Sequence, residues 1–179
     1  MTASHETAGS TEETESHESV VMSENVAGLE RIRSEFAFVA KGPYEEVAPL
    51  FGADAERVWA GDYWHPRFLY PNPVMDVPEM IFTTEMEGLC ATWVNTAFDP
   101  AAGHMQYVYF VPDILVTLID IRVSRQGAHH TAVNVTYTRT ALRPEANAKV
   151  REMADIDRNA GGEWQSAING WLGGQISRN

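Results

Sequence analysis

Residues 144–176 have the periodicity of a long amphipathic helix, and this stretch constrains the rest of the chain most strongly. Pro144 suits the first helical position because its missing N–H would be unbonded there in any case, and Glu145 brings a negative charge to the positive end of the helix dipole. Asp157 is a polar member of an otherwise apolar stripe, and the glycine pair at 161–162 predicts a kink. The stripe itself follows steps of three and four along one face: Ala146, Val150, Met153, Ala160, Trp164, Ile168 and Trp171.

A stripe that carries tryptophans needs a large apolar surface to cover it, and candidate strands lie directly upstream. Connections with turn residues such as Asp99-Pro100 separate these strands, which favours antiparallel hairpins. The predicted strands of this run are Glu79–Met86, Leu89–Phe98, His104–Val111, Leu115–Arg125 and Thr131–Leu142.

The first part of the folded region has a different composition. Alternation predicts a strand over Arg31–Ala40, followed by short helices over Tyr44–Phe51 and Asp54–Ala60, with Asp54 as the N-cap of the second. Residues 61–78 are rich in proline and aromatic side chains and predict loops with at most a short, irregular strand. One strand, short helices, a run of strands and a final helix predict an α+β fold, with the sheet curled around the helix and a cavity between them.

Length and charge predict one folded domain with an acidic N-terminal tail. The 179 residues suffice for a single core, and about half of the net charge of −12 falls in the first 24 residues. We therefore predict a disordered acidic tail over 1–28 and a ligand-binding domain over 29–179. The remainder has no basic face for nucleic acid and no apolar run long enough for a membrane span.

The single cysteine excludes an internal disulfide and a Cys-His metal framework, and a reducing cytoplasm is the expected location. Cys90 is expected to be a small buried apolar residue. The histidines lack the spacing of a metal site, so neither a metal nor another cofactor is predicted.

Several local strings occur in the order found in the SRPBCC superfamily, also called START-like or birch-pollen-allergen-like helix-grip proteins. They are Glu56-Arg57-Val58-Trp59 with Gly61 and Trp64-His65-Pro66, Trp93 before Phe98-Asp99, Tyr107-Val108-Tyr109 before Pro112, Thr136-Tyr137-Thr138 with Thr140-Ala141-Leu142, and Trp164 with Trp171-Leu172. The chain resembles this superfamily over residues 30–176. The resemblance implies a seven-stranded antiparallel sheet wrapped around a C-terminal helix, with a deep and mostly apolar pocket. The superfamily includes lipid carriers, polyketide cyclases and aromatases, quinone-binding proteins and chaperone activators, and it has no shared catalytic motif, so fold does not fix function.

Strand alternation predicts an inner wall that carries a few hydroxyls and one guanidinium. Arg139 is the most informative member, because a buried cation could bind a ligand carboxylate or phenolate; alternatively, it pairs with a carboxylate at the rim. The residues predicted to contact ligand are Tyr107, Tyr109, Thr117, Tyr137 and Arg139 on the sheet and Trp164, Ile168 and Trp171 on the helix. Trp93 and Asn95 share one face of their strand, and alternation does not say whether that face points inward.

Asp62, His65, Glu85, His104 and Asp157 are the titratable groups expected near the pocket, with Asp157 and His104 as candidate catalytic residues. A carboxyl group inside an apolar stripe is a candidate general acid or base, although a small rotation of the helix would bring Ile156 inward in place of Asp157. No arrangement of nucleophile, base and orienting group is visible in the sequence.

Three functions remain open at this point. The first is binding of a hydrophobic small molecule such as a lipid, polyketide, aromatic or quinone-like compound. The second is an enzyme of the polyketide cyclase, aromatase or dehydrase type in the same cavity. The third is a protein-interaction or chaperone-activator module that uses the acidic tail and the aromatic side chains of 63–70, and a homodimer is possible in any of the three.

Overall fold

The computed structural model describes residues 28–86 and 88–176, which form one antiparallel sheet and a set of helices packed on it. The predicted tail, apart from Gly28, lies outside the described residues. In chain order the elements are β1 (Arg31–Ala40), α1 (Tyr44–Val47), two 3-10 turns (Ala48–Phe51 and Ala55–Val58), β2 (Arg67–Tyr70), β3 (Ile81–Met86), β4 (Leu89–Asp99), β5 (His104–Val111), β6 (Leu115–Arg125), β7 (Thr131–Ala141), a third 3-10 turn (Pro144–Ala146), α2 (Asn147–Asn159) and α3 (Gly161–Ile176).

The sheet has seven strands in the order β1-β7-β6-β5-β4-β3-β2, and every pairing is antiparallel. Successive strands from β2 to β7 are neighbours, whereas β1 pairs with β7 from Arg31 opposite Thr140 to Ala40 opposite Thr131. The first strand of the chain therefore lies beside the last one. This arrangement confirms the predicted α+β helix-grip architecture, with short helices after the first strand.

Alternation along β5, β6 and β7 buries the predicted inner wall, so the predicted faces of these strands are confirmed. On β4 the inward face is the one that carries Ala91, Trp93 and Asn95, each of which is buried. Cys90 is one position away from Ala91 and points outward, because neighbouring strand residues face opposite sides. The expectation that Cys90 is buried is wrong, since its side chain is exposed.

The C-terminal helix is divided at Ala160, where α2 ends and α3 begins. A Cβ atom on Gly161 would lie 3.3 Å from Cδ2 of Phe36 and 3.4 Å from the carbonyl oxygen of Ala37. The absence of a side chain at this position thus lets the helix approach β1 closely, and the predicted break at 161–162 is confirmed. The two helices pack mainly on one side of the sheet: α2 contacts β1 and β7, and α3 contacts β1. They therefore cover little of the inner face of β2 to β5.

The prediction that Asp54 caps the second short helix is wrong. Its backbone is already helical, with φ −77° and ψ −40°, and no capping bond from its side chain is found. An N-cap residue needs an extended backbone for its side chain to reach the first free N–H groups. Instead, the carboxylate of Asp76 accepts hydrogen bonds from the N–H groups of Asp54 and Ala55, at 3.0 and 3.2 Å.

Gly52 makes room for this capping carboxylate. A Cβ atom on Gly52 would lie 2.3 Å from the carboxyl carbon of Asp76, far inside van der Waals contact. The turn at 52–58 and the loop that carries Asp76 are therefore fitted to each other. No helix within the described residues is long and apolar enough to cross a bilayer.

Candidate functional site

A cavity of about 710 Å³ lies between the sheet and the C-terminal helices. Strands β3 to β7 form one wall, α2 and the start of α3 form another, and the segment from Ala53 to His65 covers the remaining side. Most of the lining is apolar, and its aromatic members are Trp59, Tyr63, Trp64, Phe82, Trp93, Tyr107, Tyr109, Tyr137 and Trp164. A pocket of this volume suits a drug-sized molecule.

The aromatic side chains of the lining hold one another in place. The rings of Phe82 and Trp93 are stacked with centroids 5.4 Å apart, and Trp93 lies 4.2 Å from Tyr109. Trp59 meets Trp164 edge-on across the cavity wall, at 5.3 Å. Because these rings are held by their neighbours, this part of the cavity wall is formed before any ligand enters.

Hydrogen bonds from the indole N–H groups fix the orientation of three of these tryptophans. Trp59 donates to the carbonyl oxygen of Leu50, and Trp64 donates to that of Ala53, at 2.8 and 2.9 Å. Trp93 donates to the hydroxyl of Thr84, at 2.8 Å. With their N–H groups bonded to protein acceptors, these indoles offer a ligand their ring faces and edges.

A buried ion pair between Arg139 and Asp157 lies at the side of the cavity where β7 meets α2. Nη2 of Arg139 donates to one carboxylate oxygen at 2.6 Å, and Nε donates to the other at 3.0 Å. Nη1 donates to the hydroxyls of Tyr109 and Thr117, at 2.5 and 3.0 Å. Ser34 on β1 also donates to Asp157, at 2.8 Å.

Strand register explains how these residues meet. Tyr109 stands opposite Thr117, and Thr117 stands opposite Arg139, so one row crosses β5, β6 and β7 on the inner face. Burial favours the neutral form of Arg139, but Tyr109 and Asp157 outweigh that effect and raise the pKa of the guanidinium further. The guanidinium therefore stays charged, and its positive charge is balanced inside the protein.

Glu56 and Tyr137 line the same cavity but do not belong to the hydrogen-bonded cluster around Arg139. Within residues 28–86 and 88–176, no side-chain hydrogen bond or ion pair engages the carboxyl group of Glu56 or the hydroxyl of Tyr137. Burial, together with the negative charge of Asp76, raises the pKa of Glu56 to about 8. Burial raises the pKa of Tyr137 well above its ordinary value, with a further contribution from Asp157.

Acidic side chains surround the mouth of the cavity. Asp62, Glu85 and Glu163 are exposed and belong to its lining, as do the exposed side chains of Tyr63 and His65. This rim therefore carries more negative than positive groups.

Several solved structures have the same fold at low sequence identity. The aromatase/cyclase ZhuI from Streptomyces sp. R1128 is 16% identical, with a TM-score of 0.56 over 79% of this chain and 93% of that one. The norcoclaurine synthase from Thalictrum flavum, in complex with dopamine and hydroxybenzaldehyde, is 10% identical, with a TM-score of 0.57 over 81% and 88% of the chains. The protein Ara h 8.0201 is 13% identical, with a TM-score of 0.54 over 80% and 98%. No family model and no curated protein matches the sequence.

The chain has the helix-grip fold of the SRPBCC superfamily. The resemblance seen in the sequence is thereby confirmed at the level of the fold. At these identities the likeness concerns the fold alone.

The helix-grip cavity brings together some of the predicted ligand-contact residues and leaves others aside. Tyr107, Tyr109, Tyr137, Arg139 and Trp164 belong to its lining. Thr117 is buried behind them as an acceptor for Arg139, Ile168 is buried in the core, and Trp171 is half-buried; these three are not among the lining residues. Contact of any of these residues with a ligand stays a prediction.

The two candidate catalytic residues are placed differently. Asp157 faces inward as the helical stripe predicts, while Ile156 is 61% exposed, but both carboxylate oxygens of Asp157 already accept bonds from Arg139. The expectation that His104 approaches the pocket is wrong, because alternation on β5 places its ring on the outer face of the sheet, 3.1 Å from Asp120. The pairing of Arg139 with a carboxylate is real, but it occurs in the interior and not at the rim.

Glu56 is the residue of this helix-grip cavity that the sequence analysis missed as a functional candidate. A signal was present: Glu56 precedes Trp59 by three positions, and residues three apart share one face of a 3-10 turn. Because Trp59 directly follows that turn and is buried, Glu56 could have been assigned to the same inward side.

Proposed function

We propose that this protein binds a ring-containing, mainly apolar small molecule in the cavity between its sheet and its C-terminal helices. The observation that carries the proposal is a preformed cavity of about 710 Å³ whose wall is mostly apolar and includes nine aromatic side chains. Burial of a flat apolar ligand against such rings is favourable by about 25 cal/mol for each Å² removed from water. The tight mutual packing of the rings keeps the cost of ordering the site low.

The polar groups of the wall indicate how such a ligand is oriented. Tyr107 donates to the carbonyl oxygen of Phe51 at 2.7 Å, and the hydroxyl of Tyr109 accepts from Arg139, so both hydroxyls already have protein partners. The hydroxyl of Tyr137 is available to bond a ligand oxygen or nitrogen. A carboxylate that approached Arg139 would compete with Asp157, which makes an anionic anchor at this point unfavourable.

Binding can be tested with a neutral probe, 2-(2-naphthyl)ethanol, added to the purified full chain. Four of the five tryptophans line the cavity, so bound probe changes the intrinsic fluorescence, and calorimetry gives the affinity independently. Ile119→Phe places a larger side chain in the cavity, and we expect at least tenfold weaker binding. Leu118→Phe is the matched control, because Leu118 directly precedes Ile119 on β6 and faces the other side of the sheet.

Two outcomes would contradict this proposal. One is the absence of saturable probe binding to the unmodified protein, together with no small molecule released from it in native mass spectrometry. The other is equal affinity of the Ile119→Phe and Leu118→Phe variants, which would place the probe outside the cavity.

A second candidate function is an acid–base reaction of the polyketide cyclase, aromatase or dehydrase type. The observation that favours it is the carboxyl group of Glu56, which lines the cavity and has a pKa of about 8, near the value at which a group can both donate and accept protons at neutral pH. The fold of an aromatase/cyclase supports it only as an analogy. Turnover of a linear polyketone thioester mimic that is lost in Glu56→Gln, with the affinity retained, would support this function; no turnover by the unmodified protein would count against it.

A further inference from the structure

The charges around the cavity are unevenly distributed. Its lining contains the carboxyl groups of Glu56, Asp62, Glu85, Asp157 and Glu163, against the basic groups Arg139 and His65. Arg139 and Asp157 neutralise each other in their ion pair. The groups that remain for a ligand are therefore predominantly acidic, and such a surface raises the local concentration of cations.

Glu56 is the acidic group set furthest back from solvent among those without a cationic partner. It is half-buried, whereas Asp62, Glu85 and Glu163 are exposed at the mouth. Inside the described ranges, neither a hydrogen bond nor an ion pair from another side chain reaches its carboxyl group. A half-buried carboxyl group without a protein partner has lost part of its hydration, and a ligand group that bonds to it would compensate for that loss.

The neighbouring rings favour the same kind of partner. The faces of tryptophan and tyrosine rings are negative and attract a cation within about 6 Å, by about 0.5–2 kcal/mol for each contact. Trp59, Tyr107, Tyr137 and Trp164 belong to the lining together with Glu56. An aromatic wall beside an unpaired carboxylate is a general solution to the binding of an organic ammonium group.

We propose that the polar end of the ligand is a protonated amine, held against the carboxylate of Glu56 and the faces of the surrounding rings. This inference rests on the proposed function, since it names the chemical class of the molecule that the same cavity binds. An aromatic or polycyclic amine would place its apolar body among the rings and its ammonium group at Glu56.

The pH dependence of affinity follows from the groups that face Glu56. Asp76 acts on it from the loop before β3, and Tyr63, Tyr107 and Tyr137 are close enough for Glu56 to raise their own pKa values. In the empty cavity Glu56 is mostly protonated at pH 7, because its pKa is about 8. An ammonium ligand needs the ionised form. At pH values below that pKa, its apparent affinity therefore increases roughly tenfold for each unit by which the pH is raised.

Three probes of one shape and different charge test the inference on the full chain. They are 2-(2-naphthyl)ethylamine, 2-(2-naphthyl)ethanol and 2-naphthylacetate, and their affinities are measured by calorimetry from pH 6 to 8.5. A primary alkylamine stays protonated across this range, since such groups titrate near pH 10. We expect the amine to bind at least tenfold more tightly than the alcohol at pH 8.5 and to gain affinity as the pH rises, whereas the alcohol does not.

Variants assign the pH dependence to one residue. Glu56→Gln should remove the rise with pH and bring the affinity of the amine close to that of the alcohol. Glu35→Gln should leave both unchanged, because Glu35 is an exposed residue on β1. His65→Gln replaces a histidine of the cavity lining and is a second control, in which the rise must persist. Circular dichroism checks the fold of each variant, and the ratio of amine to alcohol affinity in the unmodified protein tests the inference without any variant.

The outcomes separate this inference from the proposed function. If the alcohol binds as tightly as the amine at pH 8.5, or if the acetate binds most tightly, the inference that the ligand is an amine is wrong. The cavity would still be a binding site. A rise with pH that persists in Glu56→Gln also overturns it. If none of the three probes binds, both the amine and the proposed function fail.

Discussion

Arg139 on β7 donates to both carboxylate oxygens of Asp157 on α2, through Nη2 at 2.6 Å and Nε at 3.0 Å. The two side chains are only 4% and 8% exposed, so this is an interior ion pair. Removal of one partner from such a pair leaves an uncompensated charge in a medium that solvates it poorly.

We therefore expect Arg139→Met or Asp157→Leu to lower the free energy of unfolding by about 3–5 kcal/mol. The double variant should lose less than either single variant, because it leaves no buried charge without a partner. Urea denaturation measures all three. Asp155→Asn is the control: Asp155 pairs with Arg158 at the surface of α2, and its replacement should change stability by less than about 0.5 kcal/mol. A double variant as unstable as the sum of the single variants would contradict the account of a self-contained pair.

Glu56→Gln should make the protein more stable above pH 5. The carboxyl group has an ordinary pKa of 4.5 when unfolded and a pKa of about 8 when folded. Between these values the folded state holds a proton that the unfolded state has lost, so stability falls as the pH rises through this window and levels off above it. The glutamine variant lacks this fall, and we expect an advantage of at least about 1 kcal/mol at pH 8 and little at pH 4.5. Parallel curves for the variant and the parent in urea titrations across this range would refute the raised pKa.

Gly52→Ala should displace the carboxylate of Asp76, because the new Cβ atom would lie 2.3 Å from its carboxyl carbon. Loss of the bonds to the N–H groups of Asp54 and Ala55 should cost about 1–3 kcal/mol. Movement of that negative charge away from Glu56 should also lower the pKa of Glu56, which a carbon-13 NMR titration can follow. Gly170→Ala is the opposite case: its Cβ would meet nothing within 4 Å, and alanine in a helix is favoured over glycine by about 1 kcal/mol. A Gly52→Ala variant that behaves like Gly170→Ala would contradict the fitted turn.

Asn95→Leu should stabilise the protein. Asn95 is fully buried on the inner face of β4, and neither atom of its side-chain amide has a hydrogen-bond partner within the described residues. An apolar side chain of similar size removes the cost of burying that amide, which is about 1–3 kcal/mol. Asn134→Leu, on the outer face of β7, should change stability by less than about 0.5 kcal/mol. Thermal unfolding would count against this reasoning if Asn95→Leu melted below the parent.

The fold could be predicted from the sequence because its signals are local. Alternation decides the inward face of β5, β6 and β7, and the glycine pair at 161–162 marks the break between α2 and α3. On β4 the alternation showed which residues share a face but left open which face points inward, since small and polar residues occur on both. The expectation that Cys90 is buried came from the general behaviour of free cysteines, and it was wrong because Cys90 lies on the outer face.

The candidate site could be predicted only in part because its decisive contacts join distant residues. Asp157 and Arg139 were each singled out, but their pairing depends on a helix rotation that the stripe does not fix to within one residue. The cap at Asp54 was wrong for a similar reason: the carboxylate that caps the turn comes from Asp76, 22 residues away. Glu56 was passed over because a glutamate in a short surface turn is ordinarily solvated.

The length of the Arg139 side chain has a consequence for the depth of the cavity. Arg139 extends from the sheet to the helix and bonds to Asp157 there, so the combined length of the two side chains sets the spacing between sheet and helix at this point. A shallower or deeper cavity would require a pair of side chains with another combined length. Replacement of only one of the two residues would leave a buried charge without a partner. Homologues with a cavity of another depth should therefore differ at both positions, and we expect residues 139 and 157 to covary in evolution.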